Sequence, residues 1–219
     1  SFAQTKEHKL GLTAGGSIQQ YKGNLGNSFF RFKETCFAGV AGTLGYYVNK
    51  SFDVNMGISA GHFGYCQTEE DKQRIVDLEY RCPGCTNELG MGELRSLMVS
   101  GNVFVKYKFA NGFLLKENSK LSPYLYVGGG INQLSDVMKK QCVNIGTHFS
   151  IVSGVGIKYN ICERMSIGYN LQLGYFPTTK VYNTGGAIAN DHGMTEEEET
   201  IHHTKDMYLQ NSLFLGFNF

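Results

Sequence analysis

Eight segments of this chain split by parity into one apolar row and one row of small or polar residues, and that period of two dictates strands. In the first, Leu10, Leu12, Ala14 and Ile18 oppose Lys9, Gly11, Thr13, Gly15, Ser17 and Gln19. The second sets Ala38, Val40, Leu44, Tyr46 and Val48 against Gly39, Ala41, Thr43 and Gly45, and the third sets Phe52, Val54, Met56, Ile58 and Ala60 against Asp53, Asn55, Gly57, Ser59 and Gly61. The fourth opposes Leu97, Val99, Val103, Val105, Tyr107 and Phe109 to Ser100, Asn102, Lys106 and Lys108. Leu125, Val127 and Ile131 then face away from Tyr124, Tyr126, Gly128, Gly130 and Asn132; Phe149, Ile151, Val155, Ile157 and Tyr159 face away from His148, Ser150, Gly154, Gly156 and Lys158. The last two put Met165, Ile167, Tyr169, Leu171, Leu173 and Tyr175 against Ser166, Gly168, Asn170, Gln172 and Gly174, and Met207, Leu209, Leu213, Leu215, Phe217 and Phe219 against Tyr208, Gln210, Ser212, Gly216 and Asn218. No helical period of 3.6 competes.

The polarity of the second row decides the fold class. A soluble sandwich would point the apolar row inward and cover the other with charge. Here the other row is mainly glycine, serine, asparagine and glutamine, which suits the filled interior of a small barrel whose apolar row meets lipid. The expectation is a single domain over residues 1–219, all-β: an eight-stranded, antiparallel, up-and-down transmembrane β-barrel. A soluble barrel holding an apolar ligand is the rival. Composition agrees with many strands: 28 glycines, 13 tyrosines and 15 phenylalanines against 3 prolines. No stretch reaches the roughly 18–20 apolar residues of a membrane helix, but barrel strands need only about 9–11 each. A formal net charge of +1 offers no basic field for nucleic acid.

The connections set a polarity. Links near 48–51, 110–120 and 160–163 are short or moderate, those near 21–36, 66–93, 133–147 and 177–206 are long, and the two kinds alternate. Outer-membrane barrels have short periplasmic turns and long external loops. The expected location is therefore the bacterial outer membrane, with both termini periplasmic. Ser1-Phe2-Ala3-Gln4 carries no charged and apolar leader, so an export signal is expected to have been removed. Tyr46, Phe52, Tyr107, Phe109, Tyr159, Phe217 and Phe219 gather at the short-turn end, where an interfacial girdle belongs.

The cysteines pose a geometric problem. Cys36, Cys66, Cys82, Cys85 and Cys142 fall in or beside long links, whereas Cys162 falls in the short link Asn160-Ile161-Cys162-Glu163-Arg164. An apolar band of about 25 Å separates the two sides, and bridged Cα atoms lie within about 7 Å. Cys162 then has no intramolecular partner and is a candidate for an intermolecular disulfide or contact with a periplasmic protein. The other five are candidates for external-loop disulfides, one of them left odd; Cys82-Pro83-Gly84-Cys85 lacks the βαβ setting of a redox site. Zinc held by Cys82, Cys85 and Cys66 or Cys36 is the alternative.

Three further groups carry ionisable or nucleophilic chemistry. His192, His202 and His203 flank Glu196-Glu197-Glu198-Glu199, a run expected to be a solvated external loop. His62 belongs to the lipid row and Ser59 to the interior, with no acid placed to complete a triad. Asp53, Lys106, Lys108 and Lys158 fall on the interior row, where charges must pair or meet water, and are expected to staple the barrel. No catalytic residues, cofactor or metal site is expected.

The ending Leu213-Phe214-Leu215-Gly216-Phe217-Asn218-Phe219 resembles the C-terminal signal of outer-membrane barrels, with Phe217 and Phe219 at alternate positions; that resemblance implies recognition by the barrel-assembly machinery. In size and design the chain resembles the small OmpA- and OmpX-like barrels of Bacteroidetes-type cells, among them the PorG family of the type IX secretion system. That resemblance implies a non-enzymatic membrane anchor whose short-turn rim holds a periplasmic lipoprotein ring. The alternative is a structural or adhesive surface barrel acting through the links 66–93 and 177–206.

Overall fold

In the computed structural model all eight alternating segments are strands, and they close on themselves in chain order. The residues described are 9–22, 37–66, 93–117, 119–136, 146–162, 164–177 and 207–219, with side chains at 21–22, 63–66, 93–95 and 136 left aside. The strands are β1 (Leu10–Lys22), β2 (Phe37–Tyr47), β3 (Phe52–Cys66), β4 (Glu93–Lys108), β5 (Leu121–Asp136), β6 (Gly146–Asn160), β7 (Met165–Tyr175) and β8 (Met207–Asn218). Every neighbour is antiparallel, and the β1–β8 ladder that closes the barrel runs from Gly11↔Asn218 to Lys22↔Met207. Closure leaves no free sheet edge.

The turns 48–51, 109–120 and 161–164 share one rim with the start of β1 and the end of β8. Asn49 shapes the first of them, its Oδ1 accepting the N–H groups of Ser51 at 2.9 Å and Phe52 at 2.8 Å. The segments 23–36, 67–92, 137–145 and 176–206 join the strands at the opposite rim.

The apolar row faces out on every strand. Ile58 is 72% exposed, and Val40, Met56, Val127, Ile131, Val155, Leu213 and Leu215 stand exposed beside it. A continuous apolar belt of this kind is far beyond what a water-soluble monomer shows. The aromatics of the short-turn rim pack on one another: Phe52 on Tyr107 (centroids 5.3 Å apart), Tyr107 on Phe109 (5.4 Å) and Phe217 on Phe219 (4.9 Å).

The lumen is less uniformly polar than parity suggests. Met98, Phe104, Leu134 and Val152 also point inward and are buried. Phe104, Tyr124 and Tyr126 form one cluster with Phe214 against it. Glycine makes room for these rings, because the register puts a glycine directly across from each. Tyr124 faces Gly156, Tyr126 faces Gly154, Phe104 faces Gly128, Phe214 faces Gly168 and Tyr208 faces Gly174. A Cβ at Gly154, Gly156, Gly168 or Gly174 would collide with the facing ring, whereas one at Gly128 would run into the Val103 carbonyl and the Phe104 backbone, and the Phe104 ring lies near Gly57. Polar side chains fill the rest in bonded chains. Ser100 Oγ donates to Asn132 Oδ1 (2.5 Å) and Asn132 Nδ2 to Ser150 Oγ (2.7 Å). Asn170 Nδ2 donates to the Tyr126 hydroxyl (2.9 Å), and Tyr126 in turn to Gln172 Oε1 (3.3 Å).

Candidate functional site: the short-turn rim and the lumen beneath it

Among the described residues, lumenal charge is concentrated at the short-turn end. β3 brings in Asp53, β4 Lys106 and Lys108, and β6 Lys158; Lys106 lies directly across the ladder from Asp53. Lys108 takes the aspartate: its Nζ donates to Asp53 Oδ1 at 2.6 Å and to the Asn49 carbonyl at 3.0 Å, and lies 4.4 Å from the Tyr47 ring centroid. Both members of the pair are buried. Lys106 stands over the Tyr124 ring at 4.7 Å. Among the described residues, neither Lys106 nor Lys158 has a carboxylate within ion-pair distance. The four charges expected to staple the lumen therefore form one staple and leave two cations over.

These residues border a lumenal cavity of about 90 Å³ that extends from Asn218 and Asp53 at the rim to Ser59, Gln172 and Gln210 higher in the barrel. Above it Met98, Leu134, Val152, Phe176, Tyr208 and Gln19 are fully buried, while Lys106 and Lys158 are half-buried.

The rim itself carries an apolar projection. In the β4–β5 turn, Phe113 is 93% exposed and Leu114 and Leu115 are exposed beside it. The turn is held from within. Asn111, buried, accepts the N–H of Phe113 (3.0 Å) and of Leu114 (3.3 Å) on Oδ1 and donates through Nδ2 to the Tyr107 hydroxyl (3.0 Å) and Ser51 Oγ (3.3 Å). Gly112 adopts φ +88°, a conformation that side chains disfavour, and its N–H bonds the Leu115 carbonyl at 2.9 Å. Lys50 on the neighbouring turn pairs with Glu117 at 2.7 Å; that hydrogen bond and the carboxylate charge hold the exposed ammonium above its ordinary pKa.

Cys162 lies on the third turn of the same rim, exposed and free, with its N–H bonded to the Met165 carbonyl at 3.2 Å. Phe217 and Phe219 are exposed on the outward face where β8 ends. Cys36, Cys82, Cys85, Cys142, the three late histidines and Glu196–Glu199 lie outside the described residues; Cys66 ends β3 at the long-link rim, its side chain not described. Ser59 and His62 do not meet. Ser59 points inward with Oγ 3.5 Å from Gln210 Oε1, and His62 lies on the outward face. Among the described residues no group of three His, Cys, Asp or Glu side chains is placed to hold a metal ion.

Sequence reading did not single out the Phe113-Leu114-Leu115 projection, because three apolar residues in a link resemble the end of a strand. Asn111 and the positive φ of Gly112 mark it only once the turn is folded.

No protein-family model matches the chain, and no curated protein does. Solved structures match its fold. Neisserial surface protein A (NspA) aligns with a TM-score of 0.56 at 12% identity, covering 96% of this chain and 97% of its own. OprG, the outer membrane protein of Pseudomonas aeruginosa, aligns at 0.52 and 9%, covering 97% and 96%. Ail, the attachment invasion locus protein of Yersinia pestis, aligns at 0.50 and 11%, covering 97% and 99%. At such identities the likeness is one of architecture: the chain has the closed eight-stranded, all-antiparallel fold of the small outer-membrane β-barrels.

Proposed function

We propose that this chain is a bacterial outer-membrane barrel that anchors an envelope assembly by binding a periplasmic protein at its short-turn rim. The belt of exposed apolar side chains on all eight strands supports a lipid setting. The link asymmetry supports a periplasmic short-turn rim, with both chain ends there. The observation that carries the anchoring role is the Phe113 projection, an apolar group fixed by Asn111, Gly112 and Tyr107 and presented to solvent. Preorganised aromatic anchors of this kind dominate binding energy at interfaces. Cys162, free on the same rim, adds a second contact for the same partner. By sequence resemblance that partner is a lipoprotein ring of a type IX-like secretion machine. Insertion through the barrel-assembly machinery, by way of Phe217 and Phe219, belongs to this reading.

A photo-reactive amino acid at position 113, irradiated in intact cells, tests it. A discrete adduct with a periplasmic protein is expected. Adducts with lipid alone would make the projection an interfacial anchor and defeat the proposal. Non-reducing electrophoresis of native membranes, with Cys162→Ser as the control, tests the second contact.

A second reading is favoured by the four long links at one rim and by the likeness to Ail: a surface barrel that acts through those links, with disulfides among the external cysteines bracing them. Crosslinks arising only from 67–92 or 178–206 would select it.

A further inference from the structure

Among the described residues, the lumen contains more positive charge than it neutralises. Its described inward-facing charges are three lysines and one aspartate, and Lys108 already occupies that aspartate at 2.6 Å. Lys106 and Lys158 remain close enough for their charges to oppose each other, beside a tyrosine face and glycine backbone and, among the described residues, with no carboxylate in ion-pair reach. Unneutralised charge in a confined site of low dielectric is unfavourable without a counter-ion.

Orphaned donors stand around the same space. Ser122 lies directly across the ladder from Lys158 and is 6% exposed, and its Oγ has no partner. Asn55, one turn of the pleat above Asp53, is 1% exposed with Nδ2 unpaired. Both border the cavity with the two lysines. Asn102 and Asn170 each leave an unpaired Oδ1 on the same cavity, an acceptor that hydration water or a protonated oxygen of a bound ion can meet. Buried polar groups ordinarily find partners, so the two unmatched donors beside two cations without a carboxylate mark a place for an acceptor carrying negative charge. A cavity of about 90 Å³ has room for roughly six water-sized groups, enough for a small anion and part of its hydration shell. The fully buried layer above, from Met98 to Tyr208, closes the path through, so an anion bound in the short-turn half would be held and not conducted.

We propose that the short-turn half of the lumen binds a small oxyanion of the phosphate or sulfate kind, held by Lys106 and Lys158 with Ser122 and Asn55 as hydrogen-bond donors. The site is independent of the Phe113 projection and of any partner at the rim.

Inorganic phosphate is the probe. The whole barrel, purified in a non-ionic detergent, is titrated with phosphate by calorimetry against sodium chloride of matched ionic strength. Saturable phosphate binding is expected, and Lys106→Met or Lys158→Met should each weaken it about tenfold, the step expected of a lost charge-assisted contact. Heat-dependent electrophoretic mobility verifies that each variant folds. A second measurement needs no variant: acylation of the wild-type lysines by a water-soluble reagent, mapped by mass spectrometry. Phosphate should slow labelling of Lys106 and Lys158 while the exposed Lys9, Lys116 and Lys120 react as before. Equal labelling of Lys106 and Lys158 in phosphate and chloride, or phosphate binding unchanged in both variants, would overturn the proposal.

Discussion

Tyr124 on β5 lays its ring over the backbone of Gly156 directly across the ladder on β6, so that a Cβ at Gly156 would lie 2.7 Å from Tyr124 Cε2. Three other inward aromatics, Tyr126, Tyr208 and Phe214, lay a ring over a facing glycine in the same way, and together these pairs set how an eight-stranded lumen holds large rings without widening. An eight-stranded barrel has an interior just wide enough for side chains, so each ring needs a missing Cβ opposite.

The pairing can be measured. Gly156→Ala should destabilise the barrel by about 1–3 kcal/mol, the usual consequence of overpacking. In a Tyr124→Ala background the same change should cost markedly less, with a coupling of about 1 kcal/mol or more. Urea unfolding of the four variants from lipid vesicles provides the comparison, and strictly additive losses would contradict the pairing.

Two adjacent glycines should behave oppositely. A Cβ at Gly15 would run into the Leu213 carbonyl and the Phe214 backbone, whereas one at Gly16 meets nothing within 4 Å. Backbone cannot yield as a side chain can. Gly15→Ala should therefore cost about 2–3 kcal/mol, while Gly16→Ala should be neutral or stabilising by up to about 1 kcal/mol through the unfolded chain. The same unfolding assay ranks them.

Ile58 tests the solvent of the outer face. It is 72% exposed near the middle of β3, between Gly42 and Gly101 on the neighbouring strands. Facing hydrocarbon, Ile58→Arg should cost about 2–4 kcal/mol. Facing water, the same change would fall within about 0.5 kcal/mol of zero. Reversible unfolding in vesicles distinguishes the two outcomes.

The Asp53–Lys108 pair should be expensive to halve. Asp53→Ala leaves a third lumenal lysine without an acid, and a loss of about 3–5 kcal/mol is expected. Asp53→Ala combined with Lys108→Met removes both charges and should recover much of that loss. A double variant no more stable than Asp53→Ala alone would show that the pair acts through something other than its charges.

At the rim, Gly112→Ala should loosen the β4–β5 turn, since its φ of +88° suits only glycine well. A loss of about 1 kcal/mol is expected, together with a lower yield of any adduct formed at position 113. An undiminished yield would mean that the turn does not need its fixed shape to make that contact.

Parity alone was enough to read the number of strands, their faces, the link asymmetry and the inward placement of Asp53, Lys106, Lys108 and Lys158, because a strand sends successive side chains to opposite sides whatever surrounds it. Parity does not say which residue on the next strand stands opposite. That depends on register, which only closure of the whole ring settles. Register set Tyr124 against Gly156, and folding gave Asp53 to Lys108 although Lys106 is its partner across the ladder. Met98 and Phe104 share the parity of Ser100 and Asn102 and so also enter the lumen, where register set Phe104 against Gly128. The order of residues thus determined which side chains enter the lumen; which of them meet there, and which cations are left without an acid, was decided by the ladder spacing and stagger of a closed barrel.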